Sequence, residues 1–298
     1  MNILVVGGAG FLGSHLVDRL IAEGNTVDVV DDLSSGSLAN LADARAAGGA
    51  LKIHTLDVLA DEFSALAAIR PPDVVYHLAW LSPGRGAAAQ AGRAVQGMVA
   101  VLEAARMQGS KVVTALPGAA LYGDVPLRDL PIKEGHTWNP VGLHGVIAKA
   151  VVDLLNMYRA DHTVEFTALA MSTVYGPRQR MDGGVVGSFA HALRSGTSPH
   201  VHGDGRQTRD FLYVDDAVDA LVRAGVRGGG LVVNIGSGVS TSIRELWTMM
   251  AGPSAKGPIV TPRRPNDITW FALSPTRARI HLAWAPWTDL GVGLRSLG

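Results

Sequence analysis

The sequence predicts an α/β protein, with a doubly wound parallel sheet and a smaller, mixed α/β lobe in the C-terminal third. Three observations favour this fold class. Strands and helices alternate from the first residue, as parallel sheets require. The early strands are short, continuous apolar runs, which are typical of strands buried on both faces. After about Thr173 the elements become shorter, with Gly and Pro between them. The predicted larger domain covers residues 1–172 plus about 206–236, and the smaller lobe covers about 173–205 plus 237–298.

The first half of the chain consists of strand–helix units of similar length. The first strand, Ile3–Val6, ends at glycines, and Leu12, Leu16 and Leu20 form a helical stripe that Gly24 is placed to end. Further strands are predicted at Thr26–Val30, Val74–Leu78, Lys111–Leu116 and Val164–Met171, with helices around Val95–Ala105 and Lys149–Tyr158. Such repeats imply parallel strands joined by helices.

The second half has fewer long elements. Helices are predicted at Val185–Ser195 and Val214–Ala224, and a strand at Leu231–Ile235. Ser242 and Glu245 have the spacing of a capping box, which predicts a helix start. The proline-rich stretch Pro253–Pro265 predicts a loop-rich connection.

Composition excludes several classes of protein. The 298 residues carry 26 basic and 26 acidic side chains, a balance that argues against a nucleic-acid partner. The chain has no cysteine, so it has neither disulfides nor thiolate metal ligands. The first residues reach glycine too soon for a signal peptide, and no run of 18 apolar residues suggests a membrane span. We therefore expect a soluble cytoplasmic protein with a small-molecule substrate. A homodimer is compatible with the sequence.

The most informative motif is the glycine-rich loop after the first strand, Gly7-Gly8-Ala9-Gly10-Phe11-Leu12-Gly13. It follows a strand and opens a helix, which is the context of a dinucleotide-binding Rossmann loop. Gly7 permits the tight turn, Gly10 lets the backbone approach a pyrophosphate, and Gly13 lets helix and strand pack closely. The helix N-terminus then offers N–H groups to the phosphates. The alternative is a purely structural, glycine-rich turn that binds no ligand.

Asp31, 18 positions after Gly13 at the end of the second strand, bears on the choice of cofactor. Its carboxylate would accept hydrogen bonds from the adenine ribose of NAD(H). A 2′-phosphate about 4 Å away would be repelled by roughly 4 kcal/mol at an effective dielectric constant near 20. NAD(H) is therefore favoured. NADP(H) stays an alternative if the side chain swings away, because Ser34 and Ser35 could hold a phosphate.

Further segments make the chain similar to the extended short-chain dehydrogenases/reductases, a family of nucleotide-sugar epimerases and dehydratases. The segments are Gly7–Gly13, Asp31–Gly36, Asp57-Val58, His77-Leu78-Ala79, Leu121-Tyr122-Gly123, Tyr175-Gly176-Pro177-Arg178, Gly203-Asp204-Gly205, Arg209–Asp216 and Asn234–Gly238. The resemblance implies that Asp57 and Val58 flank the adenine, that Leu78, Ala79 and Trp80 line the cofactor cleft, and that Lys149 holds the nicotinamide ribose. The loop and the resemblance together predict these cofactor-binding residues: Gly7, Gly10, Phe11, Leu12, Gly13, Asp31, Leu33, Ser34, Ser35, Asp57, Val58, Leu78, Ala79, Trp80, Leu116, Lys149 and Met171.

The departures from the family bear directly on function. Gly145 stands where the family has its catalytic tyrosine, and Gly118 stands where it has a serine or threonine. Ala94 and Thr173 replace asparagines. Of the catalytic set only Lys149 is kept. The substrate-binding residues predicted from the alignment are Gly118, Tyr122, Thr173 and Arg209.

Two side chains are candidates to replace the tyrosine. His144 directly precedes Gly145, and a histidine can carry a proton near neutral pH. The alternative is a histidine at a helix start with no catalytic role. Tyr122 is a weaker candidate, because family members that have the catalytic tyrosine also carry a tyrosine there.

These departures favour an NAD(P)H-dependent ketoreductase. A ketone beside a phenol, as in aromatic polyketides, can stabilise the alkoxide that forms when it is reduced. Such a substrate could still react without the enzyme's general acid, whose loss typically lowers the rate by about 10²–10⁴-fold. The pattern is similar to atypical, angucyclinone-type ketoreductases of antibiotic biosynthesis within the family. The alternatives are a nucleotide-sugar epimerase or dehydratase, which needs a base, and a non-catalytic NAD(P)-binding protein.

Arginines and histidines in the C-terminal half suggest two further sites. Arg209 and Arg263 or Arg264 align with arginines that bind the diphosphate of nucleotide sugars. The other interpretation is a structural salt bridge, for instance between Arg209 and a nearby Asp. His200 and His202 lack a nearby third ligand, so no metal site is predicted.

Overall fold

The computed structural model of the protein describes residues 1–79, 87–252, 255–264 and 267–297. The strands are β1 (Asn2–Val6), β2 (Thr26–Asp31), β3 (Leu51–Thr55), β4 (Val74–His77), β5 (Lys111–Pro117), β6 (Phe166–Met171), β7 (Thr173–Tyr175), β8 (His200–His202), β9 (Thr208–Arg209), β10 (Phe211–Tyr213), β11 (Leu231–Ile235), β12 (Thr241–Ser242) and β13 (Ile259–Thr261). The helices are α1 (Phe11–Ala22), α2 (Ala42–Ala46), α3 (Asp61–Ile69), α4 (Ala87–Gln108), α5 (Gly118–Tyr122), α6 (Gly142–His162), α7 (Val185–Arg194), α8 (Val214–Val226), α9 (Ile243–Ala251), α10 (Thr276–His281) and α11 (Leu290–Arg295).

Seven parallel strands form the main sheet, in the order β11-β6-β5-β4-β1-β2-β3. The order reverses direction at β1 and β4, so loops diverge there at the carboxyl ends of the strands. This divergence is where open α/β sheets bind their ligands. The predicted fold class, a doubly wound Rossmann sheet, is confirmed.

Helices cover both faces of this sheet. The α4 and α6 side packs around Leu4, Val112, Ala168 and Leu155. The α1 and α8 side packs around Val5, Leu16, Leu169 and Leu221. Alternate residues of β6 thus enter opposite layers, which explains why the buried strands are continuous apolar runs.

The part of the chain after β6 adds three two-stranded sheets, β10 with β7, β12 with β9 and β13 with β8. Its own core contains Tyr175, Phe189, Phe211, Leu246 and Trp247. Shorter elements with a separate core agree with the mixed lobe expected from the sequence. The boundaries given for the two domains stay a prediction.

Element boundaries differ from expectation where tertiary contacts decide them. Strand β6 begins at Phe166 rather than Val164, because the Val164 N–H donates to the carbonyl of Tyr158 and closes α6. The stretch predicted as a loop-rich connection contains β13, which pairs with β8. The capping box at Ser242 and Glu245 is confirmed, with the Glu245 N–H donating to Ser242 Oγ at 3.1 Å.

Among the described residues, no helix has both the length and the apolar character needed to cross a membrane.

Candidate cofactor cleft and active site

A cleft of about 440 Å³ opens at the carboxyl ends of β1, β2 and β4. The glycine-rich loop and the N-terminus of α1 form its floor, and α4 forms one wall. Most of the predicted cofactor-binding residues line it: Gly7, Gly10, Phe11, Leu12, Asp31, Ser34, Ser35, Asp57, Val58, Leu78 and Ala79.

Two glycines of the loop, Gly7 and Gly13, show why glycine is needed there. Gly7 has φ +84°, and a Cβ there would lie 2.7 Å from the Ala79 nitrogen. Gly13 does not line the cleft, but a Cβ at Gly13 would overlap the Gly7 carbonyl oxygen and lie 2.8 Å from Gly8 Cα. The close contact of α1 with the loop holds the helix N-terminus at the cleft, as a bound pyrophosphate requires.

The other predicted cofactor residues lie elsewhere. Leu33 acts through its N–H, which donates to Asp31. Leu116 and Met171 are buried at the ends of β5 and β6, and they do not line the cleft. Trp80 lies outside the described residues.

Asp31 is the central acidic group of the cleft. Its Oδ2 accepts from the Ala9 N–H at 2.9 Å, and its Oδ1 accepts from the Leu33 N–H at 2.9 Å. The residue is only 8% exposed, and burial raises the pKa of this carboxyl. Two backbone donors fix the carboxylate while its remaining lone pairs stay available to a ribose. This geometry fits NAD.

Sequence reasoning missed several residues that line the cleft: His77, Gln90, Arg93, Arg178 and Arg180. Arg93 on α4 pairs with Asp57 at 2.5 Å. Arg178 bridges Asp18 of α1 and Asp43 of α2, at 2.6 and 2.7 Å. The motif segments around His77 and Arg178 were available as a signal, but only their neighbours were assigned. For Arg93 the sequence offers no signal.

His77 is a buried base at the end of β4. Its ring is 3% exposed, and burial lowers its pKa to about 4. The imidazole is therefore neutral at physiological pH. It faces α4, where a Cβ at Gly97 would lie 3.7 Å from its Nε2.

The catalytic end is built differently, because backbone occupies the space of the missing side chains. A Cβ at Gly145 would overlap the carbonyl oxygen of Ala120 and lie 3.2 Å from the carbonyl carbon of Pro140. A Cβ at Gly118 would lie 2.7 Å from the Met171 carbonyl oxygen. Gly145 lets the start of α6 pack directly against α5, and Gly118 lets the start of α5 pack directly against the end of β6.

Lys149 and His144 both lie on α6 and are exposed. The Lys149 ammonium is 2.7 Å from Asp153 Oδ2, and the two side chains are 47% and 62% exposed. Neither Lys149 nor His144 lines the cleft as described. Their assigned roles stay predictions.

Tyr122 and Thr173 are both held by structural contacts. The Tyr122 hydroxyl is buried and donates to Asn234 Oδ1 at 2.8 Å. Burial raises its pKa to about 12, so it is a poor base at neutral pH. Thr173 starts β7, and its N–H donates to the Asp210 carbonyl.

The geometry of Arg209 matches the structural salt bridge rather than an open anion site. Its guanidinium is 2.6 Å from Asp267 Oδ1 and also donates to the carbonyls of Thr208 and Ile268. Arg263 donates to Thr269 Oγ1 and to the Asp267 carbonyl. His200 and His202 share β8, and within the described ranges no three His, Asp or Glu side chains gather as metal ligands would.

Comparison with known proteins identifies the relatives of this chain. The model of the NAD-dependent epimerase/dehydratase family matches residues 3–236. A UDP-glucose 4-epimerase of Mycolicibacterium smegmatis is 40% identical over 304 residues, covering 99% of this chain and 96% of the relative. The crystal structure of UDP-glucose 4-epimerase with UDP-glucose from Thermotoga maritima is 33% identical, with a TM-score of 0.91 over 100% of this chain and 97% of that one. A Thermus thermophilus UDP-glucose 4-epimerase in complex with NAD is 28% identical, with a TM-score of 0.89 over 100% and 97% of the two chains.

These relatives overturn the ketoreductase prediction. They are nucleotide-sugar enzymes that match this chain over at least 98% of its length, and the expected likeness to angucyclinone-type ketoreductases of antibiotic biosynthesis is wrong. The prediction failed because it treated the loss of three catalytic side chains, at Ala94, Gly118 and Gly145, as evidence for a different substrate. Such a loss changes how protons are handled, but it says nothing about which substrate the remainder of the chain binds.

Proposed function

Since the chain belongs to the NAD-dependent epimerase/dehydratase family, we propose that this NAD-dependent enzyme acts on a UDP-hexose and inverts its configuration at C4. The observation that carries the proposal is the 40% identity to a UDP-glucose 4-epimerase across 99% of the chain. The cleft supports it, because Gly7, Gly13 and Asp31 have the geometry that NAD needs.

Inversion at C4 needs two transfers in each direction. A hydride leaves C4 and the proton of the 4-hydroxyl goes to a base, which leaves a ketone. The hydride then returns to the other face of the ring and the proton returns to the oxygen. NAD, when bound, takes up and returns the hydride. The chain must bind and orient the sugar, and it must hold the proton between the two halves.

His144 is the candidate for holding that proton. The usual position cannot do so, because residue 145 is glycine and backbone fills the space beside it. His144 is exposed on the first turn of α6, the same turn on which the family carries its tyrosine. An imidazole can accept and return a proton near neutral pH.

The test is product formation by purified protein supplied with NAD. UDP-glucose, UDP-N-acetylglucosamine and UDP-glucuronate are each incubated with it, and the 4-epimers are followed by proton NMR. We expect product from at least one. His144→Ala should then lower kcat by about 10²-fold or more. His162→Ala, at the other end of the same helix, should leave it unchanged. Full activity of His144→Ala would remove His144 from the proposal but keep the epimerase.

A second candidate is an NAD(H)-binding protein that retains the ligand sites without turnover. The packing at Gly118 and Gly145 favours it, since both catalytic side chains are absent and their space is filled. Tight binding of NAD and of a UDP-sugar, with no product from any of the three sugars, would support this candidate over the epimerase.

A further inference from the structure

Ser172 has a buried hydroxyl without a hydrogen-bond partner among the described residues. Its Oγ is shielded from solvent, and the residue as a whole is 8% exposed. A buried hydroxyl that bonds to nothing costs about 1–3 kcal/mol. A native structure seldom keeps such a group unless a bound ligand satisfies it.

The position of Ser172 in the sheet is as informative as its burial. Strands β5 and β6 pair in register from Val112 with Phe166 to Pro117 with Met171. Gly118 and Ser172 each follow the last pair directly, and a Cβ at Gly118 would lie 2.7 Å from the carbonyl oxygen of Met171, the residue before Ser172. The Ser172 N–H donates to the Ile235 carbonyl at 2.8 Å, so the ladder with β11 continues through this residue. Ser172 therefore lies next to the position at which the chain has lost its hydroxyl.

The alternation of side chains places Ser172 in the layer of α6. Ala168 and Ala170 of β6 pack in the core on the α4 and α6 side, whereas Leu169 and Met171 pack on the other side. Successive side chains of a strand point to opposite faces. Ser172 thus belongs to the same face as Ala170. Neighbouring strands are about 4.8 Å apart, a distance that one side chain spans.

From these observations we infer that Ser172 supplies the hydroxyl that Gly118 lacks and hydrogen-bonds the sugar oxygen at C4. The inference rests on the proposed function, and it concerns the same site. Ser172 is a hydrogen-bonding residue in this scheme, not the base, since no proton is transferred to it. Its hydroxyl donates to the ketone and accepts from the hydroxyl form of the substrate. Contact requires a change of χ1 rotamer, because the Oγ is buried.

Two variants of nearly equal shape test this role. Ser172→Thr keeps a hydroxyl, whereas Ser172→Val replaces it with a methyl group. We expect Ser172→Val to lower kcat/KM for the UDP-sugar about tenfold or more, the size of one net hydrogen bond, and Ser172→Thr to retain most of it. The melting temperature of Ser172→Ala should be equal to that of wild type or higher, since no intramolecular hydrogen bond is lost.

Ser110 is the matched control at the opposite end of the sheet. It is buried like Ser172, but its Oγ donates to the Pro72 carbonyl at 2.6 Å. Ser110→Ala should lower the melting temperature by about 2 °C or more and leave kcat/KM unchanged. Equal kcat/KM values for Ser172→Val, Ser172→Thr and wild type would overturn the inference while the epimerase assignment stands.

If the wild-type protein makes no product from any of the sugars, the role of Ser172 is tested by substrate binding instead. The epimerase proposal then fails, and Ser172 is judged by the affinity of the NAD-loaded protein for UDP-glucose, measured by titration calorimetry. Weaker binding by Ser172→Val, about threefold or more, with wild-type binding by Ser110→Ala, supports contact with the sugar. Equal affinities for all the proteins overturn it.

Discussion

The glycine-rich loop at the start of α1 and the contact between α5 and α6 both depend on glycine, but with opposite consequences. At the loop, Gly7 and Gly13 bring backbone together at the floor of the cleft and leave its mouth open. At the second contact, Gly145 brings the backbone of Ala120, and beside it Gly118 brings the backbone of Met171, into the space where the family has its catalytic side chains. The first arrangement preserves a binding site, whereas the second removes reacting groups. Cofactor binding and proton handling can therefore change independently within one fold.

The largest effect expected at the cofactor end concerns the choice between NAD and NADP. Asp31→Asn removes the charge that would repel a 2′-phosphate by roughly 4 kcal/mol at 4 Å, so the preference for NAD should fall by up to about a thousandfold. Dissociation constants for NADH and NADPH, measured by fluorescence at low salt, give the ratio. Asp61→Asn, an exposed charge on the first turn of α3, should not change it. An unchanged ratio in Asp31→Asn would show that Asp31 holds the backbone of the loop and does not select between NADH and NADPH.

The next-largest effect concerns His77, the buried imidazole beside the cofactor cleft. Burial lowers the pKa of His77 to about 4, from an ordinary value of 6.5. The folded protein therefore binds this proton less readily than the unfolded chain. Stability is complete above pH 6.5 and is lost as pH falls toward 4, by about 3 kcal/mol in all. Urea midpoints at pH 7, 6, 5 and 4.5 should fall more steeply for wild type than for His77→Gln. The exposed His281→Gln should keep the wild-type slope.

Adding a side chain at Gly145, where the family has its catalytic tyrosine, should destabilise the protein. A Cβ at Gly145 overlaps the Ala120 carbonyl oxygen, so Gly145→Ala should lower the free energy of unfolding by about 1–3 kcal/mol, and Gly145→Tyr by more, without a gain in activity. Gly92→Ala is the control, because Gly92 is also helical but has open space where a Cβ would lie. The free energy of unfolding of Gly92→Ala should rise by up to about 1 kcal/mol. A stable Gly145→Tyr protein with increased turnover would contradict the packing described for α5 and α6.

The difference between the two regions also marks what the sequence could predict. The alternation of strands and helices follows from apolar runs and glycine motifs, which act over short distances along the chain, and the cleft residues come from those same motifs. Strand β3 was missed because it is half exposed and carries Lys52 and His54, so no apolar run marks it. Arg93 and Ser172 were missed for a different reason. Their significance depends on Asp57 and Gly118, partners that lie 36 and 54 residues away.

The smallest effect concerns Lys149, which lies on α6 at the catalytic end and is predicted to hold the nicotinamide ribose of the cofactor. Its ion pair with Asp153 is exposed, so Asp153→Asn should change stability by no more than about 0.5 kcal/mol. If Lys149 must leave Asp153 to hold the nicotinamide ribose, the variant no longer loses this pair on binding. Its affinity for NAD should then rise by about twofold at low salt. Asp161→Asn makes the same change near the other end of α6 and should leave the affinity unchanged. Equal NAD affinities in the two variants, at a precision better than twofold, would mean that Lys149 does not move from Asp153 to the cofactor.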